Sequence, residues 1–270
     1  MTSDSLNIAA IALDIVWGAP EVNLNAAEAF INRLSDDTDI VVLPELFTTG
    51  MVQDETLLAE LSSQKYVDLT LNRIKAWAQG RQCAVCGSFT AAENGKLFNR
   101  AFFITPDDRT VYYDKRHLFS VSAEGKVYTA GTAIPPVIPY KGWNISMMIC
   151  YDLRFPVWSR NHHHAYDMML VPANWPTARA YAWDHLLIAR AIENQAVYVG
   201  CDRSGKDDYG TYDGLSKIVD ALGRPVSSIA EGTEEQPLVL TATVSLSEIH
   251  KSRRKLPVVD SADDYTLIIN

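Results

Sequence analysis

The chain has 270 residues, and 24 Lys and Arg against 33 Asp and Glu give it a formal net charge of −9. With 47% apolar and 21% charged residues, it has the composition of a globular protein and is not intrinsically disordered. The acidic balance argues against a nucleic-acid or anionic-membrane partner, because phosphate groups favour Lys and Arg. Four cysteines are too few for a disulfide scaffold and indicate a reducing compartment.

The first ten residues, MTSDSLNIAA, contain neither a positive segment nor a long apolar stretch, so we expect no signal peptide. No segment approaches the roughly 20 apolar residues that a membrane span requires. We therefore expect a cytoplasmic protein. Because no repeat or linker divides the sequence, we expect one domain over residues 1–270.

Short apolar runs bounded by Gly, Pro, Asp and Asn recur along the chain, which is typical of β-strands. Several are apolar throughout, as expected of strands covered on both faces. The runs are Ile8–Leu13, Ile40–Leu43, Cys83–Phe89, Ala101–Ile104, Ile145–Cys150, Met168–Val171, Val197–Cys201, Lys217–Val219 and Leu238–Val244.

Three segments between these runs have the periodicity of amphipathic helices, namely 25–34, 67–78 and 178–195. Strands that alternate with helices predict an α/β fold or a layered α-β-β-α arrangement. Gly223 predicts a hairpin turn between 216–219 and 225–229, which would make the sheet mixed.

Reactive side chains follow three of the strand-like segments. Glu45 lies in VVLPELF, Lys115 in YYDKRHLF and Cys150 in ISMMICYDLRFP. Taken singly, they are compatible with a loop carboxylate, a surface charge and an inert core thiol. However, α/β folds place their sites at strand ends, and a helix N-terminus after Cys150 would favour its thiolate. The ordered set therefore predicts a site with a cysteine nucleophile.

The segments LPELF, DKRHLF, CYDLRFP, ANWP and ARAIENQ resemble, in this order, the nitrilase superfamily of carbon–nitrogen hydrolases. The resemblance covers nearly the whole chain and is greatest to the bacterial omega-amidase branch. It implies a four-layer α-β-β-α sandwich with mixed sheets and a catalytic set of Glu45, Lys115 and Cys150. It also implies a homodimer. We expect no cofactor and no metal, since the sequence contains no GxGxxG, P-loop or HExxH motif. Ile192 and the segment 155–158 are candidates for the self-interface.

The chemistry of these residue types suggests their roles. Cys150 would attack an amide carbonyl and form a thioester, and Glu45 would move the protons. Lys115 and the backbone N–H of Tyr151 would stabilise the oxyanion. The superfamily has a second glutamate between its lysine and cysteine, and Glu124 lies at the matching place, with an expected support role.

Asn174, Trp175 and Arg179 follow another strand and are candidates for substrate binding. By resemblance, the substrate is a dicarboxylate monoamide such as 2-oxoglutaramate, whose carboxylate an arginine fork would bind. Arg179 is the first candidate. Arg154 and Arg190 are alternatives, although Arg154 could instead brace the turn with Asp152 and Arg190 could pair with Glu193. The sequence departs from relatives at Ala182-Trp183, where His-Trp is common, which leaves the pocket details open.

Two other features suggest metal or redox chemistry. In the Cys83-Ala84-Val85-Cys86 motif, strand alternation would direct the thiols to opposite faces, so we expect inert cysteines. In His162-His163-His164, three consecutive side chains cannot all converge on one ion, so we expect a polar loop. The remaining functional alternatives are hydrolysis of another small amide or nitrile, and a catalytically silent scaffold subunit.

Overall fold

The structure is a computed structural model that describes residues 2–121 and 124–269. The strands are β1 (Ser5–Ile11), β2 (Ile40–Val42), β3 (Ala84–Glu93), β4 (Lys96–Ile104), β5 (Thr110–Asp114), β6 (Ile138–Tyr140), β7 (Trp143–Met147), β8 (Met168–Ala173), β9 (Val197–Asp202), β10 (Ser204–Asp207), β11 (Gly210–Asp213), β12 (Lys217–Val219), β13 (Ser228–Gly232) and β14 (Pro237–Ser245). The α-helices are α1 (Pro20–Ile31), α2 (Glu55–Leu61), α3 (Gln64–Arg81), α4 (Glu124–Val127), α5 (Ala180–Asn194) and α6 (Leu246–Lys255). Short 3₁₀ helices span Cys150–Arg154, His162–His164, Thr177–Arg179 and Val259–Ser261.

Two mixed sheets form the centre of the molecule. The first has seven strands in the order β13-β14-β1-β2-β3-β4-β5, and the second has five in the order β12-β9-β8-β7-β6. In the first sheet β1, β2 and β3 are parallel, and in the second β7, β8 and β9 are parallel. Antiparallel strands complete both sheets, as the mixed-sheet prediction requires.

The central strands are covered on both faces, which explains their continuously apolar sequences. In β2, Ile40 and Val42 join the core between the two sheets, whereas Val41 and the following Leu43 pack into the core beneath α1 and α3. The helix α5 contacts β9 and β12 of the second sheet. The layers are therefore helix, sheet, sheet and helix, and the predicted α-β-β-α sandwich is confirmed.

The predicted strands and helices agree with the structure except at one turn. The mostly polar helix α6 was not predicted. Each apolar run overlaps a strand, and the three helical segments overlap α1, α3 and α5. The chain does turn at Gly223, where φ is +81°. The predicted hairpin is nevertheless wrong, because Val219 and Pro225 form only an isolated bridge and β13 joins β14 in the other sheet.

The two cysteines of the Cys-X-X-Cys motif lie on opposite faces of the first sheet. Cys83 packs in the core beneath the helices and Cys86 in the core between the sheets. Both are free and buried, and burial raises the pKa of Cys83 to about 11 and that of Cys86 still further. These cysteines are packing residues, as the strand alternation predicts.

The three consecutive histidines contact the segment that follows α6, each at a different residue. The rings of His162 and Tyr265 lie 4.3 Å apart, His163 pairs with Asp264 at 3.4 Å, and His164 pairs with Asp260 at 3.0 Å. Among the described residues, no helix is both long and apolar enough to cross a membrane.

Candidate active site

A pocket opens where the carboxyl ends of β2, β7 and β8 meet, which is where α/β folds place their sites. The pocket and its mouth enclose about 350 Å³. All eight residues predicted for the site line it, together with Met51, Phe119, Arg154 and Pro176. The eight are Glu45, Lys115, Glu124, Cys150, Tyr151, Asn174, Trp175 and Arg179.

Glu45 is fully buried, and three donors hold its carboxylate in one orientation. Oε1 accepts hydrogen bonds from Lys115 Nζ and Asn99 Nδ2, both at 2.8 Å, and Oε2 accepts one from the backbone N–H of Asn174 at 2.9 Å. Burial raises the pKa of Glu45, while the positive charge of Lys115 opposes that rise. A carboxylate whose pKa is raised in this way is suited to accept and return a proton near neutral pH.

Lys115 follows β5 and is buried between two glutamates. Its Nζ lies 2.8 Å from Glu45 Oε1 and 2.8 and 2.9 Å from the two carboxylate oxygens of Glu124. Burial alone would lower the pKa of Lys115, but Glu124 and Glu45 outweigh this effect and hold the pKa well above its usual value. Lys115 is therefore a fixed positive charge and not a proton carrier.

Cys150 lies three residues beyond β7, at the first position of a 3₁₀ helix, and not at the end of a strand as predicted. Its φ is +44°, a left-handed conformation that is costly for a residue with a Cβ atom and is typical of a sharp nucleophile turn. Its Sγ lies 3.8 Å from the carbonyl oxygen of Asn174.

Burial, and then the charge of Glu45, raise the pKa of the Cys150 thiol well above its usual value. This direction is opposite to the one expected from a helix that stabilises the thiolate. The helix is only one short 3₁₀ segment, and a thiolate would place a second negative charge beside a buried carboxylate. A raised pKa favours the neutral thiol, which can act as a nucleophile only when a base accepts its proton.

The turn at Cys150 is braced by Asp152, which is fully buried. One carboxylate oxygen accepts hydrogen bonds from the backbone N–H and Nδ1 of His117, at 2.9 and 2.8 Å. The other accepts from Tyr113 Oη at 2.8 Å and from the backbone N–H of Ile149 at 3.1 Å. Asp152 thus connects the segment that carries Lys115 to the segment that carries Cys150.

Arg154 does not take part in this bracing, in contrast to the expected Arg154–Asp152 pair. It lines the pocket, with its guanidinium carbon 4.7 Å from the centre of the Trp175 ring. Arg179 also lines the pocket, 5.0 Å from the Phe119 ring. Within the described parts of the chain, neither guanidinium forms a salt bridge. Arg190 does, with Glu193 at 3.0 Å, as the structural alternative predicts.

Asn99 and Ser88 belong to the site and were not predicted from the sequence, whereas Asp152 was predicted only as a partner of Arg154. Asn99 donates to Glu45 at 2.8 Å and to Glu124 at 3.2 Å, and Ser88 Oγ donates to Asn99 Oδ1 at 2.9 Å. The available signal was Asn99 itself, a polar residue on the otherwise apolar inward face of β4. Ala101 and Phe103 share that face of β4 and pack in the core.

The residues grouped most like metal ligands lie away from the pocket. Within residues 2–121 and 124–269, one group of His162, His163 and Asp264 has ligand atoms that all lie within 4.8 Å of one another. His163 and Asp264 have 83% of their side-chain surface exposed. His164 is directed to Asp260, so the three histidines do not converge on one point, as expected.

The fold and pocket define a class: an α-β-β-α sandwich with a cysteine, a lysine and two glutamates buried at the ends of its strands. Comparison with known proteins agrees. The sequence profile of the carbon-nitrogen hydrolase family matches residues 7–254, and the chain belongs to this family, in the nitrilase superfamily.

Individual relatives match along almost their entire length. The omega-amidase YafV of Yersinia enterocolitica is 36% identical over 98% of this chain and 99% of its own. The 2-oxoglutaramate amidase of Bacillus subtilis is 33% identical over 94% and 96%. The crystal structure of a superfamily member from Xanthomonas campestris, with an arsenic adduct in its active site, superposes with a TM-score of 0.88 at 34% identity, covering 98% of this chain and 100% of that one.

Proposed function

We propose that this chain is an omega-amidase, which hydrolyses the terminal amide of a small monoamide of a dicarboxylic acid. The substrate we propose is 2-oxoglutaramate, with 2-oxoglutarate and ammonia as products. One observation carries the proposal: the pocket that holds Cys150 beside Glu45 and Lys115 also contains Arg154 and Arg179 without carboxylate partners among the described residues. The two amidases of Yersinia and Bacillus named above support the same reaction.

In the proposed first half-reaction, Cys150 Sγ attacks the amide carbonyl carbon while Glu45 accepts the thiol proton. Because the resting thiol is neutral, attack and proton transfer are coupled, and a thiolate need not form in advance. The carbonyl oxygen gains a negative charge, which the Lys115 ammonium and the backbone N–H of Tyr151 stabilise.

The tetrahedral intermediate then loses ammonia. Glu45 returns its proton to the amide nitrogen, the carbon–nitrogen bond breaks, and the acyl group remains on Cys150 as a thioester. In the second half-reaction Glu45 takes a proton from water, the resulting hydroxide attacks the thioester, and the carbon–sulfur bond breaks. The thiol of Cys150 recovers the proton from Glu45, and the carboxylic acid product leaves.

The free carboxylate of the substrate requires a cation at the far end of the pocket. The planar guanidinium group of arginine binds a carboxylate through two parallel hydrogen bonds. Arg154 and Arg179 are the two candidates that the pocket supplies, each lying against an aromatic ring, Trp175 or Phe119. Such packing restricts the side chain and lowers the entropy lost on binding.

The experiment that tests the proposal is a panel of amides and nitriles assayed by ammonia release. It should include 2-oxoglutaramate, the 2-oxo amide of methionine, a simple aliphatic amide and a nitrile. We expect the two 2-oxo amides to give the highest kcat/KM. A preference for the nitrile, or for an amide without a carboxylate, would refute the omega-amidase assignment, and no turnover of any compound would favour a silent scaffold subunit.

The cysteine mechanism has its own test. Cys150→Ala should abolish ammonia release, and Glu45→Gln should slow both half-reactions. Intact-mass spectrometry of Glu45→Gln during turnover should detect an acyl adduct on Cys150. If Cys150→Ala still hydrolyses amides, the proposed nucleophile is wrong.

We also propose that the chain forms a homodimer through the outer face of α5. Tyr181 is 77% exposed and Ile192 48% exposed on this helix, and Val157 near its end is 47% exposed. Ile192→Glu should weaken the association by placing a charge in an apolar interface. Sedimentation of the wild-type protein as a monomer at micromolar concentration would refute the dimer.

A further inference from the structure

The peptide unit that joins Asn174 to Trp175 lies between Cys150 and Asp202, a buried acid outside the set described above. Its carbonyl oxygen is the one that lies 3.8 Å from Cys150 Sγ. Its N–H, which belongs to Trp175, donates a 2.7 Å hydrogen bond to Asp202 Oδ1. Carbonyl and N–H point in opposite directions in a trans peptide, so one end of this unit faces the nucleophile and the other is anchored by Asp202.

The same turn also holds the general base. The backbone N–H of Asn174 donates to Glu45 Oε2 at 2.9 Å, and its side-chain Nδ2 donates to the backbone carbonyl of Glu45 at 2.9 Å. Asn174 therefore contacts both Glu45 and Cys150. The next peptide group joins Asn174 to Trp175, and Asp202 accepts the hydrogen bond from its N–H.

Asp202 is the last residue of β9 and is fully buried. Its backbone N–H donates to Ser216 Oγ at 3.0 Å, which fixes the main chain. Its side chain instead accepts the N–H of Trp175 in the turn after β8. Its Oδ2 is buried and has no hydrogen-bond partner in the part of the chain that the structure describes. A charged carboxylate oxygen in that position would be costly.

The charged and titratable groups around Asp202 do not compensate for its burial. Arg203 is next in the chain, but its guanidinium pairs with Asp207 at 2.7 Å. Glu45, Cys201 and Tyr212 are the other titratable neighbours, and none of them brings positive charge. Burial outweighs the positive charge of Arg203 and the backbone hydrogen bonds of Trp175 and Arg203, and it raises the pKa of Asp202 well above its usual value.

We propose that Asp202 is a positioning residue for hydrolysis: as an uncharged carboxylic acid, it holds the Asn174–Trp175 peptide so that Glu45 and Cys150 keep their relative placement. The proposal rests on the function proposed above. The neutral form matters because the site already has two glutamates against one lysine. A third negative charge, transmitted through a peptide whose carbonyl faces Cys150, would disfavour an anionic intermediate.

Three variants separate this role from general stability. Asp202→Asn has the same shape and can accept the Trp175 hydrogen bond, but it can never be charged. Asp202→Leu removes the acceptor and leaves a buried N–H unsatisfied. Cys201→Ala is the control, because Cys201 is a buried neighbour on the same strand whose Sγ contacts the carbonyls of Ile11 and Val42, away from the turn.

We expect Asp202→Leu to lower kcat by about 10- to 100-fold with little change in KM, the range expected when a buried donor loses its partner. Asp202→Asn should rescue most of kcat with an unchanged pH profile. Cys201→Ala should lose stability and keep its kcat. A fully active Asp202→Leu would overturn the positioning role, and an inactive or pH-shifted Asp202→Asn would overturn the neutral acid.

Two readouts need no substrate, so they stay informative if the proposed substrate is wrong. The first is the pH dependence of Cys150 alkylation by iodoacetamide, followed by intact mass, which Asp202→Leu should shift and Asp202→Asn should not.

The second readout is the free energy of unfolding in urea between pH 4 and pH 8, compared between the wild type and Asp202→Asn. The raised pKa of Asp202 means that the unfolded chain ionises first. The wild type should therefore lose stability relative to Asp202→Asn as pH rises from the unfolded pKa toward the folded one. A difference that does not vary with pH would mean that Asp202 is ionised in the folded protein, and would overturn the proposal even if Asp202→Leu fails to fold.

Discussion

The ammonium nitrogen of Lys115 lies 2.8 and 2.9 Å from the two carboxylate oxygens of Glu124, nine residues further along the chain. The second oxygen of Glu124 also accepts the backbone N–H of Phe119 at 2.7 Å. Glu124 therefore fixes both the charge of the lysine and the segment that enters the pocket. In the proposed mechanism this makes Lys115 a stationary oxyanion partner.

Glu124→Gln should lower kcat by about 100-fold or more, because a neutral amide no longer holds the Lys115 ammonium in place for the oxyanion. Steady-state ammonia release measures the effect. Glu93→Gln is the matched control, since Glu93 pairs with Arg100 on the surface of the first sheet. It should leave kcat nearly unchanged. An unchanged kcat in Glu124→Gln would mean that Lys115 needs no support from Glu124.

The protonation state of the Cys150 thiol can be measured by alkylation. Because burial and Glu45 raise the pKa of the thiol, the thiolate is scarce at neutral pH and increases with pH. Alkylation by iodoacetamide should therefore be slow at pH 7 and should accelerate by about tenfold per pH unit through the alkaline range. Glu45→Gln removes the neighbouring charge and should move this profile to lower pH. Rapid alkylation with a plateau below pH 7 would show instead that the resting enzyme carries a thiolate.

Substitution of the pocket arginines should affect binding more than chemistry. Arg179→Ala and Arg154→Ala should each raise KM for 2-oxoglutaramate by about 10-fold or more, since a charge-assisted hydrogen bond contributes about 1.5–3 kcal/mol. For an aliphatic amide without a carboxylate, KM should change little. Arg224→Ala is the control, because Arg224 pairs with Asp220 at an exposed turn. Equal losses on both substrates would assign the arginines to folding of the pocket.

The hydroxyl of Tyr113 is a stability determinant near the site. It donates to Asp152 at 2.8 Å and accepts from Trp158 Nε1 at 2.8 Å, both in the buried interior. Tyr113→Phe should lower the free energy of unfolding by about 1–3 kcal/mol, because it leaves the buried Trp158 Nε1–H unsatisfied and removes one of the two donors to that Asp152 oxygen. Urea denaturation measures this. Tyr112→Phe, at the neighbouring and 41% exposed residue, should stay within about 0.5 kcal/mol.

Much of the fold could be predicted because the central strands are covered on both sides. A strand such as β2 must be apolar at every position, and such runs are visible without any partner information. In contrast, α6 was not predicted. Its sequence, LSEIHKSRRK, is mostly polar, and it buries only Ile249, Ser252 and Arg253. Its position is fixed by the buried pair of Arg253 with Asp167 at 2.7 Å, a contact between residues far apart in the chain.

Some features of the site could likewise be predicted from the sequence, and others could not. Residues within a compact motif, such as Cys150 and Glu45, could be predicted from the sequence, since Cys150 ends a strand-like run and Glu45 follows one. The protonation state of Cys150 could not, because it depends on burial and on a carboxylate from another strand. Asn99 bridges Glu45 and Glu124, which lie 54 and 25 residues away from it in the chain. The local sequence does not predict contacts over such separations.

The pairing of β1 with β14 has a consequence for how the protein is made. Their register runs from Ser5 with Ser245 to Ile11 with Val239, so the two neighbours of β1 are β2 and β14, the last of the strands given above. During synthesis, β1 therefore remains an open edge until more than 200 residues have followed. Such long-range closure slows folding. A growing chain can assemble β2 to β5 beneath the helices early, whereas the first sheet is complete only when the C-terminal strand arrives.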